Sequence, residues 1–293
     1  KAMQIYLAKT AGFCYGVDRA VSLVEQTIRA GERAVTLGPI IHNHHVVEHF
    51  ERLGVREIAS PEEAQPGETV ILRAHGVEKS MQEALAARGL RVVDATCPFV
   101  EKIHRIVQEA GQAGRRCIIV GTPHHPEVAA IASFCTDPVI VRSAEELEKW
   151  LKSDDSRQKL PLTMVCQTTG TQKNWDSCRE IAKKVCTNCE IFDTICKATE
   201  MRQKEATALA QRSDAMVVVG DARSSNTGRL AMICKQYCSS VSLVDHAEEL
   251  DLHLFRNANT VGITAGASTP AWIIKEVNKK MSEDIKVETA MEE

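Results

Sequence analysis

The stretch Val92-Val93-Asp94-Ala95-Thr96-Cys97 has a counterpart further along the chain, Ile191-Phe192-Asp193-Thr194-Ile195-Cys196. Each begins with apolar residues, reaches an aspartate and then continues through two further residues to a cysteine. Short apolar runs of this kind are typical of strands buried on both faces, as in parallel sheets. The two stretches therefore predict equivalent strands that each end close to a cysteine.

The residues after these cysteines keep a common spacing, and Cys14 begins a third copy of it. At one fixed offset from each cysteine stands a glycine that ends an apolar run, and at a second fixed offset stands a polar residue. The glycines are Gly38, Gly121 and Gly220, and the polar residues are His42, His125 and Ser224. This shared register indicates three repeated units.

A third landmark follows at a similar offset in each copy, where Ser60, Ser143 and Asp245 each precede acidic residues. Serine or aspartate before a first turn that carries glutamate is typical of a helix N-cap, because the helix dipole favours negative charge there. We therefore predict that these three residues cap equivalent helices.

Apolar runs alternate along the chain with amphipathic helical stretches, which indicates an α/β fold with mostly parallel sheets. The runs are 34–38, 69–73, 117–121, 162–166, 216–220 and 260–264, and the clearest helical stretches are 18–30, 99–110 and 200–211. We predict a three-lobed molecule of three small α/β units, residues 1–96, 97–195 and 196–293, around a pseudo-threefold axis. The last unit carries a charged C-terminal tail.

The composition excludes several classes of protein. The 36 basic and 39 acidic residues give the 293-residue chain a net charge of −3, and only 4% of residues are aromatic, so a nucleic-acid surface is not expected. No apolar run approaches the length that a membrane-spanning helix needs and no signal-peptide pattern is present, which predicts a cytoplasmic protein without a membrane span. Eleven cysteines in a reducing compartment favour metal, redox or packing roles over disulfides.

Equivalent residues of three units around one axis would converge, and Cys14, Cys97 and Cys196 would then supply three thiolates. Three thiolates can hold three irons of a [4Fe–4S] cluster and leave the fourth iron open to a substrate oxygen. A single cysteine is more often an inert buried thiol, but the shared register favours ligation for these three.

Polar residues at the predicted strand ends suggest a second ring of groups, suited to a phosphate or diphosphate. They are His42, His75, His125, Thr168, Ser224, Ser225, Asn226 and Ser268. The remaining histidines lack this position in the repeat and are interpreted as structural hydrogen-bonding residues. The clearest of these are His44, His45, His49, His104, His246 and His253.

Glu127 is the carboxylate next to one of these histidines, His125. A carboxyl group close to a negatively charged substrate tends to hold a proton, so Glu127 is a candidate proton donor. The alternative is an ordinary glutamate in the first turn of a helix, where the dipole favours it.

Taken together, these motifs resemble those of the 4-hydroxy-3-methylbut-2-enyl diphosphate reductase family (LytB-type iron–sulfur reductases of isoprenoid biosynthesis), over residues 5–278. The motifs, in chain order, are Gly12-Phe13-Cys14-Tyr15-Gly16-Val17, Gly38-Pro39-Ile40-Ile41-His42-Asn43, Arg73-Ala74-His75-Gly76, Asp94-Ala95-Thr96-Cys97-Pro98, His125-Pro126-Glu127-Val128, Gln167-Thr168-Thr169, Asp193-Thr194-Ile195-Cys196, Ser224-Ser225-Asn226 and Gly262-Ile263-Thr264-Ala265-Gly266-Ala267-Ser268. As a set they are highly specific, although a fragment such as Arg-Ala-His-Gly alone is weak.

The resemblance implies a monomeric enzyme that performs the last step of the deoxyxylulose phosphate pathway. In that step a two-electron reductive dehydroxylation gives isopentenyl and dimethylallyl diphosphate. By motif position, the three cysteines would hold a central [4Fe–4S] cluster, and the histidines, serines and Asn226 would contact the diphosphate. Thr168 would lie by the substrate hydroxyl and Glu127 would deliver protons. Electrons would come from a donor such as flavodoxin or ferredoxin.

The sequence departs from the family pattern at two places. His124 stands before His125 where the family usually has glycine, which could alter the path of the loop. Eight cysteines lie outside the pattern: 117, 135, 166, 178, 186, 189, 234 and 238. Cys186 and Cys189, with Cys178 nearby, could bind a metal, but no second CxxC supports this. Core packing is expected for Cys234 and Cys238.

Two other functions use some of the same residues. An iron–sulfur hydro-lyase also needs three cysteines and an open iron, but its carboxylate substrates would call for arginines at the strand ends, where only Arg73 and Arg223 are available. A non-enzymatic iron–sulfur redox sensor or carrier would not need an enclosed site with a carboxylate. Both are weaker interpretations than the reductase.

Overall fold

The computed structural model describes residues 3–284 and 287–289. Its strands are β1 (Met3–Leu7), β2 (Arg33–Leu37), β3 (Arg56–Ile58), β4 (Glu68–Leu72), β5 (Arg91–Asp94), β6 (Arg116–Val120), β7 (Val139–Val141), β8 (Leu162–Cys166), β9 (Cys189–Ile191), β10 (Ala215–Val219), β11 (Val241–Val244), β12 (Thr260–Ala265) and β13 (Val287–Thr289). Every one of the predicted apolar runs is a strand, with boundaries that differ by no more than a single position from those expected.

Helices connect most of the strands. They are α1 (Tyr15–Arg29), α2 (His44–Arg52), α3 (Lys79–Ala87), α4 (Pro98–Gln112), α5 (Pro126–Ser133), α6 (Ala144–Lys152), α7 (Gln172–Val185), α8 (Lys197–Arg212), α9 (Ser225–Tyr237) and α10 (Ala271–Asp284). Short 3-10 helices lie at Pro61–Glu63, Asp155–Lys159, Ala247–Glu249 and Leu252–Phe255. None of the helices within the described ranges is long and apolar enough to cross a membrane.

The strands form three parallel sheets that share one order. These are β3-β2-β4-β5, β7-β6-β8-β9 and β11-β10-β12-β1, the last extended by β13 beside β1. Parallel pairing throughout and the repeated order confirm the predicted α/β fold of three similar sheets. The central strands β4, β8 and β10 are buried along their whole length, which explains why most of their residues are apolar.

Strand β10 shows how both faces of a sheet are covered. Val217 and Val219 pack in one apolar cluster, which includes residues of α10, whereas Met216 and Val218 pack in another with residues of α8 and α9. Successive side chains of a strand point to opposite faces, so an apolar residue is required at every position. The helices on either side therefore dictate the sequence of the strand.

The N-terminal strand joins the sheet built by the C-terminal third of the chain. Gln4 to Leu7 of β1 pair with Thr260 to Ile263 of β12. As a result, each sheet has four strands of the repeat, and a predicted site cysteine follows the last of them: Cys97 after β5, Cys196 after β9 and Cys14 after β1. The predicted unit boundaries at residues 96 and 195 remain a prediction.

The chain divides into two compact units. The smaller unit comprises Lys1–Asp18, His42–Glu48 and Lys197–Glu293 and contains the sheet that includes β1. The larger unit comprises Arg19–Ile41 and His49–Cys196 and contains the other two sheets. The predicted C-terminal tail lies partly outside the described residues, but β13 within it pairs with β1.

The N-cap prediction is confirmed at Ser143, is met in position only at Ser60, and is wrong at Asp245. Ser143 caps α6, accepting a hydrogen bond from the Glu146 N–H at 3.4 Å. Ser60 precedes only a 3-10 helix and makes no side-chain cap bond. At the third position the N-cap residue is His246, not Asp245. The Asp245 carboxylate instead lies 3.3 Å from two histidines, His44 and His45.

Candidate active site

In the larger unit the predicted site residues follow the carboxyl ends of strands. They are His75 after β4, Cys97 after β5, His125 and Glu127 after β6, Thr168 after β8 and Cys196 after β9. Loops at this end of parallel strands are where open α/β sheets bind ligands. The strand pattern thus accounts for the position of each of these residues.

Glu127 and Thr168 form a buried pair. Glu127 is 2% exposed, and its carboxylate accepts hydrogen bonds from the Thr168 N–H at 2.6 Å and from the Thr168 hydroxyl at 2.8 Å. Glu127 lies in the first turn of α5, where His125 Nδ1 accepts its N–H at 3.2 Å. The helix start therefore positions the glutamate, and its carboxylate is used by Thr168 rather than exposed to solvent. This contact supplies the hydroxyl-to-carboxylate path that a proton relay needs.

His75 and His125 lie side by side. Their ring centroids are 5.6 Å apart at an interplanar angle of 76°. The turn that carries His75 depends on Gly76, which has a φ of +77°. A Cβ at residue 76 would lie 2.7 Å from Cε1 of His104, so glycine is required both for the backbone and for the close approach.

Main-chain hydrogen bonds tie Cys97 and Cys196 to neighbouring strand-end loops. The Cys97 N–H donates to Ala74 O at 2.9 Å, and the Cys196 N–H donates to Thr168 O at 3.0 Å. The first bond places Cys97 beside Ala74, the residue before His75. The second places Cys196 beside Thr168. Both cysteines are half-buried.

In the smaller unit, Cys14 and His42 are held by one segment after β12. The Cys14 N–H donates to Ala267 O at 3.1 Å, and the Ser268 hydroxyl donates to His42 O at 2.9 Å. The Gly12 carbonyl accepts a bond of 2.7 Å from the guanidinium of Arg202, a buried residue of α8. The loop of Cys14 is therefore fixed from two sides.

Ser224, Ser225 and Asn226 form the start of α9, directly beyond β10. The Ser224 hydroxyl caps the helix by accepting the Thr227 N–H at 3.4 Å. Asn226 is 4% exposed, and neither atom of its amide has a hydrogen-bond partner among the described residues. Buried amides are normally hydrogen-bonded, so this one is suited to a ligand at the positive end of a helix.

Two buried residues that hold these loops in place were not among the predicted site residues. Gln167 is fully buried, and its Oε1 accepts the Thr122 N–H at 3.0 Å, which joins the loops after β8 and β6. Arg202 is the residue that holds the Gly12 carbonyl. Gln167 lies in a quoted motif and could have been found there, whereas Arg202 shows no signal beyond its place on α8.

The unusual residue of the loop after β6, His124, has a φ of +63° and is exposed. This is the left-handed region, which glycine adopts without steric cost. The backbone conformation explains why glycine suits this position, and shows that histidine here keeps the turn at some expense in stability.

The surplus cysteines are mostly core residues. Cys178 and Cys234 are buried in apolar clusters, where burial raises the pKa of Cys178 to about 11 and that of Cys234 to about 12. Cys238 is buried with Cys234, which confirms the expected packing. Cys186 and Cys189 pack at the edge of the cluster that contains Cys178. All the cysteines of the chain lie within the described residues, and none of them is joined in a disulfide.

Comparison with known proteins identifies the family. The protein-family model described as LytB protein matches residues 5–282 of this chain. A 4-hydroxy-3-methylbut-2-enyl diphosphate reductase from Caldanaerobacter subterraneus subsp. tengcongensis is 38% identical over 284 residues, covering 95% of this chain and 96% of the relative. The chain belongs to this family. A reductase of the same name from Geobacter sulfurreducens is 39% identical over 285 residues, covering 96% and 98%.

Two solved structures share the fold. The structure of (E)-4-hydroxy-3-methyl-but-2-enyl diphosphate reductase, described as the terminal enzyme of the non-mevalonate pathway, is 36% identical with a TM-score of 0.69, covering 96% of this chain and 99% of that chain. The E-1-hydroxy-2-methyl-but-2-enyl-4-diphosphate reductase from Plasmodium falciparum is 25% identical with a TM-score of 0.91, covering 100% and 93%. The predicted family is confirmed, and the hydro-lyase and redox-sensor alternatives lose their support.

Proposed function

We propose that this chain reduces 4-hydroxy-3-methylbut-2-enyl diphosphate to isopentenyl and dimethylallyl diphosphate, with Cys14, Cys97 and Cys196 as the ligands of a [4Fe–4S] cluster. The observation that carries the proposal is the equivalence of the three cysteines. Each follows the same strand of a sheet with the same order, and each has a main-chain bond to a neighbouring strand-end loop.

The donor set fits such a cluster. Thiolates are the usual protein ligands of iron–sulfur clusters, and three of them leave one iron without a protein ligand. These three thiols are half-buried, unlike Cys178 and Cys234, whose burial in apolar surroundings disfavours the thiolate. When bound, the cluster would supply electrons and a Lewis-acidic iron for the substrate oxygen.

The strand-end polar groups would hold the diphosphate. In the larger unit these are His75 and His125, and in the smaller unit His42, Ser224, Ser225, Asn226 and Ser268. The start of α9 offers main-chain N–H groups and the buried Asn226 amide, an arrangement that favours an anion. Fixing the non-reacting end of the substrate orients the hydroxyl and excludes water from the reaction.

Glu127 and Thr168 would move a proton to the departing hydroxyl. The reaction consumes two electrons and two protons: one proton leaves with the hydroxyl as water, and the other goes to a terminal carbon of the allyl group. Hydroxide is a poor leaving group, so protonation of the oxygen is essential. The Thr168 hydroxyl lies 2.8 Å from the Glu127 carboxylate, and a protonated Glu127 would donate across this contact to the threonine oxygen while the threonine hydroxyl donates to the substrate.

The electrons would come from a small donor protein such as flavodoxin or ferredoxin, and the chain would act as a cytoplasmic monomer. These three parts of the proposal rest on the family and on the sequence. A reduced donor that supports turnover without an artificial reductant would test the first of them.

The test uses protein purified without oxygen. Mössbauer spectra should show a four-iron cluster with one distinct iron, whose signal changes when the diphosphate alcohol is added. Cys14→Ser, Cys97→Ser and Cys196→Ser should each lose iron, while the double variant Cys186→Ser/Cys189→Ser, the matched control, should keep it. Ligation of the cluster by four cysteines, or a cluster indifferent to the alcohol, would refute the proposal.

A further inference from the structure

A second group of side chains that could bind a metal lies in the smaller unit and shares no residue with the predicted cluster ligands. His44 and His45 form the first residues of α2, and Asp245 follows β11. The Nε2 atoms of both histidines lie 3.3 Å from the same carboxylate oxygen, Oδ2 of Asp245. One candidate ligand atom from each of the three residues falls within 4.8 Å of the others.

The two nitrogen-to-oxygen separations fit a tetrahedral metal site. Bonds of about 2.0–2.1 Å from a metal to imidazole nitrogen and carboxylate oxygen, at tetrahedral angles, place neighbouring ligand atoms about 3.3 Å apart. That is the distance from each imidazole nitrogen to the Asp245 oxygen. Small side-chain movements would therefore be enough to admit an ion.

A second carboxylate fixes the orientation of His44. The Nδ1 atom of His44 lies 3.3 Å from Oδ2 of Asp221, and the His44 main-chain N–H donates to the same oxygen at 3.2 Å. Asp221 is buried and is held by the Arg223 guanidinium at 2.7 Å. A carboxylate that accepts the Nδ1 proton leaves the lone pair on Nε2, the atom directed at Asp245.

Two atoms of the group are buried without a hydrogen bond to the described residues. Oδ1 of Asp245 has no hydrogen-bond partner among the described residues, and Nε2 of His45 makes no hydrogen bond to them despite its closeness to Asp245. The half-exposed Trp272 ring packs edge-on against His45, with ring centroids 5.9 Å apart. Buried polar atoms without hydrogen bonds are rare, so an ion is a physically reasonable partner for them.

We propose that His44, His45 and Asp245 bind a divalent transition-metal ion, with Zn²⁺ the ion that best suits two imidazoles and one carboxylate. Imidazole and carboxylate ligands in a tetrahedral arrangement favour zinc, with water in the fourth position. The bound ion would join the first turn of α2 to the loop after β11. It would thereby also restrain His42 and Asn43, which directly precede that turn.

The site can be tested on the anaerobically purified protein with its cluster in place. The protein is incubated with one equivalent of Zn²⁺, desalted, and analysed for zinc and iron per chain. Wild type should retain one zinc ion per chain. His45→Gln and Asp245→Asn should lose the zinc, and their iron content should equal that of wild type. His253→Gln removes an exposed histidine of the same unit and should retain the zinc. Asp221→Asn, which removes only the outer carboxylate, should weaken zinc binding about 10- to 100-fold.

X-ray absorption at the zinc edge separates this site from zinc bound to cysteine. The proposal expects nitrogen and oxygen neighbours at about 2.0–2.1 Å and no sulfur at about 2.3 Å. Sulfur in the zinc shell, wild-type zinc content in both ligand variants, or no zinc retained by wild type would each overturn it. Circular dichroism would show whether Asp245→Asn folds. If it does not, the zinc content of His45→Gln and the X-ray absorption spectrum of the wild type still test the proposal.

Discussion

Glu127 sits at the start of a helix, where a carboxylate is usually solvated, yet it is buried and serves as acceptor for Thr168. The nitrogen and the hydroxyl of the same threonine both donate to it, so the carboxylate has one defined orientation. A group held in this way can exchange a proton with a neighbour without first being reoriented, which is what a relay requires.

We expect Glu127→Gln to bind the diphosphate alcohol with little change but to lose about 10²- to 10⁴-fold in turnover, the range typical of a general acid or base. Glutamine preserves the size of the side chain but cannot deliver the proton. Turnover with a strong chemical reductant and binding by calorimetry would be measured. Glu145→Gln, which alters an exposed first-turn glutamate of α6, is the control. Wild-type turnover in Glu127→Gln would remove this residue from the proton path.

His124 is the residue whose backbone and side chain conflict most clearly. A left-handed conformation costs a non-glycine residue about 1–2 kcal/mol. Glycine removes this steric cost, but it also loses more conformational entropy on folding than histidine does, which offsets part of the gain. His124→Gly should therefore stabilise the protein by up to about 1 kcal/mol, seen as a higher midpoint of urea unfolding. His124→Ala keeps the strain and is the control; equal midpoints for the two variants would contradict the interpretation.

At the scale of the element, helix α4 carries a buried histidine on its inner face. His104 stacks on Phe134 with ring centroids 4.5 Å apart, and its Cε1 excludes any Cβ at residue 76. Burial lowers the pKa of His104 to about 4, against a weaker opposing effect of the Asp94 charge. The helix therefore packs well only while this ring is neutral.

This lowered pKa makes stability depend on pH in a defined direction. Between the unfolded value of about 6.5 and the folded value, the unfolded chain binds the extra proton, so the contribution of His104 is complete above about pH 6.5 and declines as the pH falls. From pH 7 to pH 5 the free energy of unfolding should drop by about 2 kcal/mol through this residue. His104→Gln should reduce that drop in urea titrations, whereas His253→Gln should leave it unchanged. An undiminished drop in His104→Gln would assign it to other groups.

Elements whose signal is local were predictable from the sequence. The apolar runs are strands because helices cover both faces of their sheets, and Ser143 caps α6 through Glu146, a near neighbour in the chain. Asp245 shows what local sequence patterns do not predict. Its carboxylate faces His44 and His45, which come from the opposite end of the sequence, and no local pattern reveals that contact.

The candidate site shows the same division. Cys97 and Cys196 were marked by repeated local motifs, and the family resemblance supplied the role of Thr168. The bond between Glu127 and Thr168 joins residues 41 positions apart and needed the structure. Arg202, which holds Gly12 across 190 positions, has no local signal at all.

For the whole molecule, the place of β1 predicts an asymmetry between the two chain ends. Met3 and Ile5 are 4% and 1% exposed and belong to the apolar cluster of the sheet that β1 joins, whereas β13 pairs, among the described strands, only with β1. Deleting residues 1–7 should cost at least about 4 kcal/mol, the loss of two large buried side chains and a strand ladder. Deleting residues 285–293 should cost less than half of that.

Urea unfolding of both truncated chains would measure the difference, with far-UV circular dichroism at low urea as a check on folding. Equal losses of stability at the two ends, or a more severe loss from the C-terminal deletion, would show that β1 is not the strand that completes this sheet.

Strand β1 is also separated in time from its partner strand during synthesis on the ribosome. β1 is made first, but its partner β12 begins only at Thr260, and at about 5–20 residues per second the interval is about 13–50 seconds. During that time all strands of the β2-to-β5 and β6-to-β9 sheets are synthesised, whereas β1 has no partner strand to pair with. The unpaired β1 segment is therefore suited to chaperone binding during most of the synthesis. Once β12 and the last helix have left the ribosome, β1 can pair and no longer requires a chaperone.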